Sequence, residues 1–323
     1  MRNSVATSPA DNTPGRRCRR VQTDVATSTP VLSDRAWAHV SGPFAALGHS
    51  FQIRTTDREL GGYLDSVFRD LRTGDEADPA TTYTLVTDAP APWIFALFVN
   101  AEQRAESQDP LYVLRYLIWH VNRQAVERTA DHVILHAGGV ARDGVACVLA
   151  AASECGKTTL AAGLVRRGFD YITDEAVAIS PSTLMVSPFP KPLSLDRGSW
   201  RVLPDLEPDL IPLLRRFPPE QWQVPATAIR RDALSGVVAP KVVITPCYKE
   251  GAETELSPLS RADMLIRLTE LTFDFRTQLQ RNLSVLRAVV AGSVCYQLTV
   301  GDLEEACSLV ELALERAMYS EVR

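Results

Sequence analysis

Ala151-Ala152-Ser153-Glu154-Cys155-Gly156-Lys157-Thr158-Thr159 constrains this chain more than any other stretch. The pattern G-x-x-x-x-G-K-[ST] makes a phosphate-binding loop. Successive backbone N–H groups point into one concavity, the lysine reaches the terminal phosphates, and the hydroxyl holds Mg²⁺. Gly156, Lys157 and Thr158 occupy the decisive positions, while Ala151 stands where the first glycine belongs. A bare Gly-Lys-Thr match is weak evidence, so the flanks decide. Val145 to Ala150 reads as a buried strand entering the loop. Thr159 to Arg167, with Leu160, Leu164 and Val165 apolar, reads as a helix leaving it toward a stop at Gly168. Strand, loop and helix in that order aim a helix N-terminus at the phosphates. Ala152, Ser153, Glu154, Cys155, Gly156, Lys157, Thr158 and Thr159 are therefore the expected nucleotide-binding residues.

Phe169-Asp170-Tyr171-Ile172-Thr173-Asp174-Glu175 is a short hydrophobic run ending in two carboxylates. Alone it would read as a strand with a solvated acidic end. Directly after a phosphate-loop helix, it reads as the strand end that handles metal and attacking nucleophile. Seventeen residues separate Lys157 from Asp174, room for one helix and one turn. The two strands are thus expected to be sheet neighbours joined by one right-handed crossover. In motor, transporter and recombination ATPases the acidic strand comes much later, which argues against those classes. Upstream, Val133 to Arg142 and Val145 to Ala150 flank Asp143-Gly144, a strong hairpin signal. His136 falls on the first of these strands. A lone strand histidine is usually a core or edge residue, but one placed twenty-one residues before Lys157 becomes a site candidate.

In that order and at that spacing, these elements resemble the HPr kinase/phosphorylase family. More closely, the chain is similar to the HPr-kinase-related proteins of bacterial peptide-modification clusters, including lasso-peptide clusters. Those carry H-A-x-x-V, a loop, L-x-x-R-G-[FW]-x-[YF]-x-[ST]-D-E and then P-F-P-[RK]-P-[LI]-S-L. Here His136-Ala137 opens the set, Leu164 to Glu175 fills the long motif, and Pro188-Phe189-Pro190-Lys191-Pro192-Leu193-Ser194-Leu195 follows. The resemblance is strong over 133–196, traceable through the Pro258-to-Asp263 helix start and the last strand–helix pair, and says little about the first hundred residues. It implies an α/β fold with a phosphoenolpyruvate-carboxykinase-like P-loop core and a smaller N-terminal α/β domain. It also implies ATP, Mg²⁺ and an ATP-dependent kinase acting on a serine-type hydroxyl of a peptide or protein in peptide natural-product maturation. Asp174 would accept the hydroxyl proton, Lys157 would hold phosphates, and Glu175 with His136 would orient the metal or phosphate side. Thr158 and Glu175 would be the metal ligands. HPr kinases assemble as hexamers, which makes a homo-oligomer an expectation to test. Two alternatives stand beside this reading: a nucleotide-binding regulatory or scaffold protein that has lost the chemistry, and a small-molecule hydroxyl kinase. The relatives usually read Gly-x-Ser-Gly-x-Gly-Lys, so Ala151, Glu154 and Cys155 depart from them. A methyl at Ala151 costs little at negative φ and about 1 kcal/mol or more if the turn needs positive φ. Glu154 sets a carboxylate beside a polyanion.

At 323 residues and net charge −5, the chain has room for two domains, and its slight acidity speaks against nucleic acid as partner. Residues 1–32, with the knot Arg16-Arg17-Cys18-Arg19-Arg20, read as a disordered tail. Residues 33–128 read as a small α/β domain and 129–320 as the nucleotide-binding domain. The former holds strands at Ser50 to Arg54, Thr82 to Val86 and Ile94 to Val99, and a helix capped by Asp109-Pro110 that runs to Glu127. Leu114, Leu117, Ile118 and Val121 make that helix's core stripe. No apolar run is long enough to span a membrane and no signal-peptide core opens the chain, so the cytoplasm is expected. Six cysteines without a C-x-x-C pair read as reduced thiols rather than a zinc site. Between Asp196 and Asp232 lie Arg215, Arg216, Arg230 and Arg231. Any of them is a candidate to fold over a transferring phosphoryl group, against the plainer role of solvated loop charge. A strand at Lys241 to Thr245, a helix opening on Ser260-x-x-Asp263, a helix at Thr277 to Val290, a strand at Val294 to Thr299 and a helix at Asp302 to Met318 close the chain.

Overall fold

Alternating burial builds the first sheet. In a computed structural model, which describes Leu32 and residues 36–74, 78–88 and 94–319, the strands β1 (His39–Ala46) and β2 (His49–Thr55) form a hairpin. Apart from Leu32, the tail expected over 1–32 lies outside the described residues. Helix α1 (Arg58–Val67), capped by the Asp57 carboxylate accepting from the Leu60 N–H, crosses over to β3 (Thr81–Asp88), which pairs parallel with β2. β4 (Ile94–Val99) and β5 (Glu102–Ser107) complete a five-stranded sheet in sequential order. Helix α2 (Pro110–Glu127) begins where expected, with Asp109 accepting from the Leu111 N–H and Pro110 in the first turn. Val113, Leu117 and Val121 of α2 pack into one core with Phe44, Phe51 and Leu97 of the sheet. The sequence reading gives no bounds for β1, α1 or β5. β5 exposes Glu102, Gln103, Arg104 and Glu106, so it has no apolar alternation to read.

The chain continues through β6 (Val133–His136), β7 (Gly138–Arg142), β8 (Val145–Leu149), α3 (Lys157–Arg166), β9 (Asp170–Thr173), β10 (Ala176–Ile179) and β11 (Val186–Ser187). Then come β12 (Leu193–Asp196), α4 (Arg197–Trp200), β13 (Gln221–Val224), α5 (Ala226–Ile229), β14 (Ala239–Tyr248) and β15 (Glu255–Pro258). Helices α6 (Arg261–Leu271) and α7 (Leu279–Ala291), strand β16 (Val294–Val300) and helix α8 (Leu303–Tyr319) close the described chain. Ser260 caps α6 by accepting from the Asp263 N–H, as its spacing implied.

The structure departs from two sequence expectations. The strand expected from Val133 to Arg142 is two strands, because the chain changes sheet at Ala137. β6 pairs with β10 in a three-stranded sheet completed by β11, whereas β7 forms the hairpin with β8. Asp143 and Gly144 both hold positive φ, 51° and 79°, which is what a two-residue turn matching strand twist demands. The strands before and after α3 are also not neighbours: the six-stranded sheet runs β15-β16-β14-β8-β7-β9. The tight Asp143-Gly144 turn lays β7 along the edge of β8, so β9 settles on the outer edge of β7 instead.

β8, β14 and β16 run parallel, and their alternating side chains feed two cores. Cys147, Leu149, Val242 and Ile244 face Leu160 and Leu164 of α3 and Val310 of α8. Ala146, Val148 and Val243 face Met264 of α6 and Leu286 of α7. Gly163 lets α3 and α8 close up, since a Cβ there would meet the Cys307 Sγ at 2.9 Å. The result is a mixed α/β architecture with helices on both faces of its largest sheet. Among the described residues no helix is long and apolar enough to cross a membrane.

Candidate nucleotide and phosphoryl site

Residues 150–156 leave the C-terminal end of β8 and turn into α3. The Ala150 N–H still bonds the Ile244 carbonyl of β14 at 2.7 Å, so the loop springs from a paired base. Ala152, Ser153 and Glu154 are exposed, Cys155 and Gly156 half-buried, and Lys157 is buried. Positive φ occurs at Glu154 (66°) and Gly156 (84°), and not at Ala151. The backbone cost of the thinned glycines thus falls on Glu154, where the relatives' motif has its middle glycine. Replacing Glu154 by glycine is expected to relieve about 1 kcal/mol of left-handed strain and to remove the misplaced carboxylate. Calorimetry should then show Mg²⁺-ATP binding several-fold tighter in Glu154→Gly and unchanged in Ala151→Gly. The opposite ranking would mean that the loop adopts another conformation.

Lys157 reaches back under the loop. Its Nζ donates to the carbonyls of Ala151 (2.8 Å) and Ala152 (2.7 Å) and lies 3.4 Å from His136 Nε2. Burial lowers the Lys157 pKa, with the charges of Glu175, Cys155 and Asp174 pulling the other way. An ammonium only donates, so His136 Nε2 is the acceptor and Nδ1 carries the ring proton. That nitrogen faces Glu175 Oε1 at 3.6 Å. Burial, then Lys157, pushes the His136 pKa below its usual value, which keeps the ring neutral. Ser153 Oγ sits 3.3 Å from the same Nε2, so loop, histidine and Glu175 form one chain of contacts.

The second carboxylate is held quite differently. Thr158 Oγ1 donates to Asp174 Oδ2 at 3.0 Å, joining the first turn of α3 to the end of β9. Tyr171 OH (2.7 Å) and Lys191 Nζ (2.6 Å) both converge on Oδ1, and the Ser194 N–H approaches Oδ2 at 3.5 Å. Burial raises the Asp174 pKa, and Lys191, Tyr171 and Thr158 more than reverse this, holding it below the usual carboxylate range. Asp174 is 3% exposed, whereas the Glu175 side chain is 42% exposed. The Thr158 hydroxyl and these carboxylates are the hard oxygen donors that suit Mg²⁺. Thr159 has turned away to bond Ser199 Oγ at 2.7 Å, which docks α4 beside the loop helix.

Lys191 was missed as a site residue. Its signal was a lone lysine between prolines inside an apolar run, a position where a solvated charge makes no sense. It is 1% exposed and also donates to the Pro192 carbonyl at 3.0 Å. Two of the four candidate arginines, Arg215 and Arg230, are engaged elsewhere. Arg215 pairs with Asp209 at 2.5 Å and donates to the Leu210 carbonyl. Arg230 pairs with Asp170 at 2.5 Å and donates to the Phe169 carbonyl, both at the opposite end of β9 from Asp174. Local carboxylates and carbonyls have claimed these guanidinium groups, while Arg231 is exposed.

No protein-family model and no curated protein matches the chain. Among solved structures it is similar to the Hpr(Ser) kinase/phosphatase from Coxiella burnetii. The match is 11% identical, covers 59% of this chain and 99% of that one, and has a TM-score of 0.31. A likeness at that score carries nothing over to this chain, which leaves the site geometry to speak for its chemistry.

Proposed function

We propose that this protein is an ATP-dependent phosphotransferase acting on a hydroxyl acceptor, of the serine kind and carried on a peptide or protein undergoing maturation. The observation that carries the reading is the Thr158–Asp174 hydrogen bond. It joins the loop hydroxyl to the acidic strand end, while Lys157 and His136 complete the same cluster. Phosphoryl transfer asks a protein mainly to position groups and neutralise charge, and this cluster has the parts for both. The peptide acceptor rests on the sequence resemblance over 133–196.

In this reading the loop amides and Lys157 hold the phosphates. Thr158 and Asp174 would hold Mg²⁺, which would supply charge neutralisation to the phosphates. The geometry supports a division of the carboxylates opposite to the one the resemblance implies. Asp174 already receives donors on both oxygens and has a lowered pKa, which makes it a poor proton acceptor and a good anchor. Glu175 is half-exposed and linked to His136, which suits the acceptor side. Transfer of labelled γ-phosphate from ATP to serine-containing peptides, set against a non-hydrolysed binding control, tests the activity. Absence of both transfer and Mg²⁺-ATP binding would remove it. For the division of roles, Glu175→Gln should cut the transfer rate by about 10²–10⁴-fold with Mg²⁺-ATP affinity changed only a few-fold. Asp174→Asn should instead raise the Mg²⁺ concentration needed for ATP binding. The reverse pattern would restore Asp174 as the base.

One observation favours a second reading, a nucleotide-binding regulatory protein without transfer. Glu154 brings both strain and a carboxylate to the loop. ATP binding that never leads to labelled product, with any peptide or small-molecule hydroxyl, would support it.

A further inference from the structure

Tyr248 ends β14, the strand that lies next to β8 in the sheet and parallel to it. Ligands of open α/β sheets sit beyond the C-terminal ends of such strands. The Tyr248 N–H points at the Cys155 carbonyl at 3.4 Å, so this strand end is tied to the phosphate loop itself. A Cβ built on Gly156 would come 3.4 Å from the Tyr248 Cβ, which puts the base of the tyrosine side chain against the last glycine before Lys157. Yet Tyr248 is 54% exposed, and its hydroxyl has no hydrogen-bond partner among the described residues. A large aromatic ring left in solvent beside a phosphate cradle contributes nothing to the core.

We propose that Tyr248 is the nucleobase platform of this site, a purine stacking on its open face while the phosphates lie in the loop. The inference rests on the nucleotide-binding reading and adds what that reading lacks, a contact for the base. Stacking uses the π-face and not the base edges, so adenine and guanine should be held alike. The backbone tie to Cys155 fixes the foot of the side chain, so the ring would need little ordering on binding.

Calorimetric titration with Mg²⁺ present, using ATP, GTP and inorganic triphosphate as probes, tests it. Tyr248→Ala should weaken ATP and GTP about tenfold or more and leave inorganic triphosphate within twofold of the wild type. Tyr248→Phe should retain full affinity, because the stack does not use the hydroxyl. If the alanine variant does not fold, Tyr248→Leu preserves bulk at the strand end and should show the same selective loss. Wild-type ATP affinity in the alanine or leucine variant would overturn the proposal. An equal loss for triphosphate and ATP would also overturn it, since Tyr248 would then be shaping the loop. Wild-type protein binding triphosphate as tightly as ATP would overturn it while leaving the phosphate site standing. If the wild type bound neither probe, the nucleotide reading would fall along with it.

Discussion

Lys157→Ala is expected to abolish phosphoryl transfer and leave the fold in place. The ammonium is tied to the loop itself, with the Ala151 and Ala152 carbonyls and His136 Nε2 all within 3.4 Å. A preorganised donor aimed at developing charge is commonly worth 10²–10³ in rate, roughly 3–4 kcal/mol, and here the donor is also charged. The Ala152 carbonyl can turn to water, because Ala152 and its neighbours Ser153 and Glu154 are exposed, whereas the buried Ala151 carbonyl loses its partner. Stability should therefore fall by only about 1–3 kcal/mol, the desolvation cost of unsatisfied acceptors. Lys157→Arg is not expected to rescue transfer, because a planar guanidinium does not fit between two carbonyls that hold a single nitrogen. Thermal melting of the purified variant with a transfer assay checks both halves. A well-folded Lys157→Ala protein that still turns over would remove the kinase reading.

Lys191→Met should be the most destabilising single change in the site, although the Lys191 ammonium bonds Asp174 and the Pro192 carbonyl rather than the phosphate loop. It is 1% exposed and its partner Asp174 is 3% exposed, so the variant leaves a buried carboxylate without its cation. Breaking a buried pair in this way typically costs about 3–5 kcal/mol. Tyr171 and Thr158 still donate to Asp174, which places the expectation at the lower end of that range. Adding Asp174→Asn to Lys191→Met should recover much of the loss, since a neutral amide tolerates the site far better than an unpaired charge. The pH dependence has a definite sign. Without Lys191, burial, the largest influence on Asp174, is opposed by the remaining Tyr171 and Thr158 hydrogen bonds, and the folded-state pKa is expected to rise above the unfolded value. The deficit should then shrink as pH falls and the carboxyl protonates. Urea unfolding of the single and double variants at several pH values measures all three effects. A deficit under about 1 kcal/mol that ignores pH would mean that the Lys191–Asp174 pair is not buried in solution.

Several features were settled by sequence within short windows, because the physics behind them is local. Asp109-Pro110 caps α2, Ser260 caps α6, and Asp143-Gly144 turns the β7–β8 hairpin, each through contacts within four residues. The strand–loop–helix order around Gly156 and Lys157 is of the same kind, whereas the expectations for His136, Asp174 and Glu175 rest on their spacing and on the resemblance. Tertiary structure decided what depends on distant partners. Whether Val133 to Arg142 is one strand or two depends on β10 drawing β6 into another sheet at Ala137. Whether β9 lies beside β8 depends on β7 having taken that edge first. Whether Ala151 or Glu154 bears the loop's strain depends on the path between β8 and α3, which composition does not encode. Lys191 lies seventeen residues beyond Asp174 and Tyr248 ninety-two beyond Gly156, so no periodicity could bring either to the site. Their places follow from strand register and from the low dielectric of a packed interior, where a buried carboxylate keeps its charge only because a cation is folded against it.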